Sequence, residues 1–159
     1  MVSGPSLQAQ LDQKVQEIKQ TVAGMSEEKA SKRPGEGEWS VKEVLSHLSG
    51  GDGDDFAILR RVTQEDTPVV EFEIGVSHYE GRENMSAAEL TSRVESTYGE
   101  MGDFLSGLNE EELNRKARSP QLKETPIGEY PTLGQLAAAL INFHLNDHIN
   151  HLRNLSQQQ

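Results

Sequence analysis

The stretch "FHLNDHINHLRNL" carries His144, His148 and His151, three of the five histidines in the chain. Neutral imidazole is the commonest protein ligand for divalent transition metals. A spacing of four on a helix stacks two imidazoles so that both can reach one ion. At about 100° per residue, positions 144, 148 and 151 share one face. That face also carries Leu133, Ala137, Leu140 and Leu155, so it is expected to point inward. A buried imidazole is costly unless its ring nitrogens find partners. Stacked imidazoles also resist joint protonation, because like charges repel. A divalent cation answers both demands. The competing explanation is a set of polar core residues. A triplet on an apolar face favours metal for His144 and His148. For His151 a ligand, a hydrogen bond to a ligand and a polar pocket wall all stay open.

One helix supplying two ligands needs a third from elsewhere. His47, in "EVLSHLSGGDGDD", is the best candidate, at the margin of another apolar stripe. Asp52 and Asp55 fall on the inward side of the same segment and could serve as ligand, ligand partner or general base. Asp52 and His151 are the candidate catalytic side chains. His78 falls in a long connection and is expected to be exposed. Asn146 and Asp147 are expected to be solvated or to contact a ligand. The late histidine pair has no glutamate beside it, so the zinc-protease pattern is absent.

Four periodic segments must position these residues. Leu7, Leu11, Val15, Ile18, Val22 and Met25 recur at helical steps, predicting a helix over about 6–25. Ser40 with Glu43 is a capping box that opens a second helix, expected over 40–64, with Trp39 stapling onto Val44. The glycines of "GGDGDD" predict a kink in it, or a place where something packs close to the backbone, since each costs about 1 kcal/mol relative to alanine. Ser86 with Glu89 opens a third helix, over 86–107, and Thr132 with Gln135 a fourth, over 132–156. The fourth stripe reads Leu133, Leu136, Ala137, Leu140 and Phe143 before the histidines. "SEEKASKRPGEGE" reads as a loop with a single helical turn. The connections "EDTPVVEFEIGVSHYEGREN" and "LNEEELNRKARSPQLKETPIGEYP" are long for a bundle. "VVEFEIGV" alternates too weakly to predict a strand. The expected architecture is all-α: one domain, residues 1–159, a four-helix bundle with long crossover loops.

Composition agrees. Hydrophobic residues make up 34% of the chain and aromatics 5%, which suits an aliphatic helical core better than a β-sandwich. The formal net charge of −11 argues against nucleic acid; a neutral or cationic small molecule or a metal cation is easier to reconcile with it, but the charge is explained first by solubility alone. Without cysteine, disulfides, thiolate metal sites and a cysteine nucleophile are excluded. The longest apolar run, "LAAALI", is too short to span a bilayer, so a soluble, cytoplasmic protein with no membrane partner is expected.

Taken together, "EWSVKEVLSHLSGGD" and "TLGQLAAALINFHLNDHINHLRNL" resemble the DinB-like superfamily of small four-helix-bundle proteins, including its YfiT-like metal-dependent hydrolases. The shared pattern is a tryptophan–serine helix start, a histidine about eight residues on, and a late H-x-x-x-H helix often continued by another histidine. The resemblance implies His47, His144 and His148 as ligands of a divalent metal ion, nickel or zinc. His151 matches the additional histidine of some members. It further implies hydrolysis, or transfer of a low-molecular-weight thiol as in bacillithiol- and mycothiol-dependent members, in stress or detoxification. A non-catalytic metal-binding stress protein and a helical interaction module are the alternatives. Bundles of this kind often pair, so a homodimer is expected. The run "GGDGDD" departs from the bulkier continuation more usual in the family and puts the pocket edge near His47 in doubt.

Overall fold

The computed structural model describes residues 2–50, 56–72, 82 and 84–158. Helix α1 (Gly4–Val22) starts from a Ser3–Ser6 capping box, and α2 (Glu27–Ser31) is the short turn expected in the following loop. α3 (Val41–Leu48) and α4 (Ala57–Gln64) come next, then α5 (Ala87–Ser106) and the four-residue α6 (Glu110–Leu113). α7 (Leu133–Ala139) runs through a π turn (Leu140–His144) into α8 (Leu145–Gln157). The molecule is a four-helix bundle. α1 packs most extensively on α5 and also meets α8, while α3 sits against both α5 and α8. No helix among the described residues is long and apolar enough to cross a membrane.

The capping boxes at Ser40, Ser86 and Thr132 form as expected, each side chain accepting from the backbone N–H three residues on. The apolar stripes form the core. Leu7, Leu11 and Ile18 of α1 are fully buried, as are Leu90, Met101 and Leu105 of α5. At one end the two helices come too close for any side chain at Gly4. A β-carbon there would stand 2.3 Å from the Leu105 carbonyl oxygen.

Three expectations are corrected. The first helix ends at Val22, where Gly24 takes φ +74°, so Met25 packs on the core from beyond the helix. The second helix is not continuous over 40–64. α3 stops at Leu48 with Ser49 as its cap, and Gly50 follows at φ +75°, a left-handed conformation that glycine adopts without steric cost. The glycine run therefore begins with a helix stop rather than a kink. Asp52, Asp55 and the rest of 51–55 lie outside the described residues, as does His78.

The third correction concerns Phe143, which is 68% exposed, while Ile141 is fully buried. Ala137, Ile141, Leu145 and Ile149 are all buried at successive steps of four. In a straight α-helix each such step drifts about 40° around the axis, so the stripe would leave the core. The π turn takes an extra residue and undoes most of that drift.

The described parts of the two crossovers are bonded to one another. Val70 N–H donates to the Arg118 carbonyl at 2.8 Å, and Arg118 N–H donates to that of Pro68 at 2.9 Å. On the other side Ala117 N–H donates to the Pro131 carbonyl, and Leu133 N–H to that of Arg115. These pairings stay isolated bridges; among the described residues no strand forms, and residues 73–76 of "VVEFEIGV" lie outside them.

Candidate metal centre

His47 lies in the last turn of α3, His144 ends the π turn and His148 lies in α8. The capping box sets where α3 begins. Its other end is tied to α5 by the Thr97 hydroxyl, which donates to the Ser49 carbonyl at 2.8 Å. The π turn sets the rotation of the late helix. His144 and His148 each precede a buried leucine or isoleucine by one residue, so they sit at the edge of the buried stripe and are half-buried.

The three rings converge. The centroids of His144 and His148 are 4.6 Å apart, those of His47 and His148 4.7 Å, and those of His47 and His144 5.6 Å. One ring nitrogen of each lies within 4.8 Å of the others. Imidazole nitrogens bound to one ion at about 2.0–2.1 Å stand about 3.4 Å apart when tetrahedral.

Electrostatics fit the same group. The His148 imidazole is pushed down to about 3, first by burial and then by the neighbouring rings of His144, His47 and His151. Burial also holds His144 below the usual imidazole range, with Asp147 opposing the shift. Both therefore keep a free nitrogen lone pair at neutral pH, the state a metal takes. Three imidazole ligands leave coordination positions open, as in catalytic rather than structural sites. The donor set fits one divalent cation.

His151 does not join this group. It lines a neighbouring cavity with Trp39, Glu38 and Asn154, and Trp39 stands with its ring 5.8 Å from that of His47. Trp39 thus packs on the core and walls this cavity, the second of the two roles its position before the cap allows. Asp147 is exposed, as expected.

A second cavity of about 220 Å³ opens on the histidine cluster, with His47 and His144 in its wall. Phe56, Phe72, Thr97, Tyr98, Leu136 and Leu140 are among the other lining residues. Sequence reasoning misses this wall. Tyr98 is legible only as one member of the α5 stripe, and no periodicity singles out Phe56 or Phe72, which flank connections.

Comparison with known proteins places these features in a family. The DinB superfamily model matches residues 10–152. No curated protein matches the chain significantly. Among solved structures, YfiT from Bacillus subtilis is similar in fold, with a TM-score of 0.74 at 18% identity over 97% of this chain and 86% of that one. YfiT is described as a probable metal-dependent hydrolase with an unusual four-helix bundle topology. With nearly its whole length matched by the family model, the chain belongs to the DinB superfamily.

Proposed function

We propose that the protein is a metal-dependent enzyme that hydrolyses a small molecule, with His47, His144 and His148 holding one nickel or zinc ion. The convergence of three half-buried imidazoles from α3 and the late helix carries this reading. Family membership and the description of YfiT as a probable metal-dependent hydrolase support it. When bound, such an ion supplies Lewis-acid activation of water and of a carbonyl group. The chain's own residues do the rest. His47 and His144 present the reacting end of the cavity, and most of the rest of its described wall is apolar. His151 is proposed as an imidazole outside the ligand group for proton transfer, and Asp52 as ligand, ligand partner or general base. Transfer of a low-molecular-weight thiol is the second reading. The chain has no cysteine, so in that case the thiol comes from solution.

Elemental analysis of untagged protein tests the site. About one nickel or zinc per chain is expected, lost in both His47→Ala and His148→Ala. Ester hydrolysis that disappears on chelation and returns with metal is the expected activity. A protein that takes up neither ion on soaking would overturn the proposal and leave the histidines as polar core.

A further inference from the structure

Helix α3 is eight residues long, and His47 lies in its last turn. A helix this short is marginal by itself, and helix ends fray first. Yet a metal ligand must be held within about 0.5 Å of its working position. The start of α3 is fixed by the Ser40–Glu43 box. Its end is fixed by a set of polar bonds to distant segments.

The carbonyls of a last turn have no partners inside their own helix. Here they find them. The Ser49 hydroxyl donates to the Ser46 carbonyl at 2.7 Å. The Thr97 hydroxyl, from the middle of α5, donates to the Ser49 carbonyl at 2.8 Å. Arg82, from the crossover between α4 and α5, donates through Nη1 to both the Ser49 hydroxyl oxygen and the Gly50 carbonyl. Ser49 N–H closes the turn from within, donating to the Leu45 carbonyl at 2.8 Å. Ser49 is 1% exposed and Arg82 6%, so water cannot readily replace a bond lost there.

Burial of α3 does not require these bonds. Val41, Val44, Leu45 and Leu48 already pack its inner face into the core. Apolar packing is non-directional, whereas a hydrogen bond fixes an angle. What the polar bonds add is orientation, and they add it within three residues of a metal-site histidine.

We infer that Thr97 and Arg82 are positioning residues for the metal centre. Through Ser49 and Gly50 they lock the last turn of α3, so that the His47 imidazole stands ready against His144 and His148. The inference deepens the metal reading and rests on it. Neither residue belongs to the histidine group, so each acts through the backbone that carries His47.

The test is zinc affinity, by competition with a chromophoric chelator, together with amide hydrogen exchange of the metal-free protein. Thr97→Val keeps the branched shape and the helix propensity but removes the donor. It should weaken zinc at least tenfold, the size of a ligand-partner effect. Exchange of Ser49 N–H should quicken at least tenfold in the same variant, while that of Val44 N–H, near the start of α3, stays unchanged. Thr97→Ser keeps the hydroxyl and should hold zinc within about threefold of the parent. Arg82→Met should weaken zinc, and Arg82→Lys, which retains a donor, should recover part of the loss. Ser40→Ala loosens α3 from its other end and should leave zinc affinity within about twofold, which separates positioning from a general loss of stability. Zinc held as tightly by Thr97→Val as by the parent would overturn the inference, and so would equal losses in Thr97→Val, Thr97→Ser and Ser40→Ala. A parent protein that takes up no zinc gives a different result, sinking the metal reading and the inference with it.

Discussion

The imidazoles of His47 and His148 lie with centroids 4.7 Å apart, although one lies in the last turn of α3 and the other belongs to α8. Neither helix holds the pair by itself. The contact exists because α3 packs against α8, and it joins two distant parts of the chain at one point.

His148 and His151 should respond differently to removal. His148→Ala deletes one of the three converging nitrogens and is expected to reduce zinc or nickel affinity at least a hundredfold while leaving helix content unchanged. His151→Ala lies outside the group and should retain the metal within about tenfold, the size of a ligand-partner effect at most. Competition with a chromophoric chelator measures both. Equal losses would place His151 among the ligands.

Acid should destabilise the metal-free protein through His148. Its folded pKa of about 3 lies below the ordinary value of 6.5, so the unfolded chain binds the extra proton between those limits. Stability is fully present above pH 6.5 and declines as pH falls toward 3. Urea midpoints from pH 7 to pH 4 should fall more steeply for the parent than for His148→Gln, which has no proton to gain. Parallel slopes would show that the decline comes from other groups.

The start of α3 is a separate handle. The Ser40 hydroxyl accepts from Glu43 N–H at 3.2 Å, and Glu43 Oε1 accepts from Ser40 N–H at 3.1 Å. Ser40→Ala removes half of that box and should cost about 1 kcal/mol. For a domain of this size that is roughly 2–4 °C in Tm. Metal stoichiometry should not change. An unaltered thermal midpoint would mean that the cap adds nothing.

Two glycines should behave oppositely. Gly4→Ala forces a β-carbon onto the Leu105 carbonyl and must push α1 away from α5, at a cost of about 1–3 kcal/mol. Gly99, inside α5, has open space where a β-carbon would stand, with nothing within 4 Å. Gly99→Ala should stabilise by about 0.5–1 kcal/mol, because alanine loses less backbone entropy in a helix. Chemical denaturation of both variants checks the pair, and a loss in Gly99→Ala would contradict the open space at that position.

Local signals in the chain are sufficient for the elements and for half of the site. A serine or threonine with an acidic or amide residue three places on starts a helix through bonds made within one turn, so the starts at Ser40, Ser86 and Thr132 can be read directly. The same holds for His144 and His148, whose proximity follows from one turn of one helix. The end of α3 is harder to read because a glycine run looks alike as kink or stop, and the left-handed turn at Gly50 is what decides it. Phe143 reads wrongly as core because a π turn leaves no mark in hydrophobic spacing until the helix is seen to stay on the core.

Sequence alone therefore determined a helical bundle, its capped starts and a late histidine pair aimed inward, because each depends on neighbours along the chain. The tertiary structure decided that His47 meets that pair, that His151 lies outside its ligand group, and that a cavity lined by Phe56, Phe72 and Tyr98 opens beside them. Those relations depend on how α3, α5 and the late helix pack, and packing is a property of surfaces brought together from distant parts of the chain.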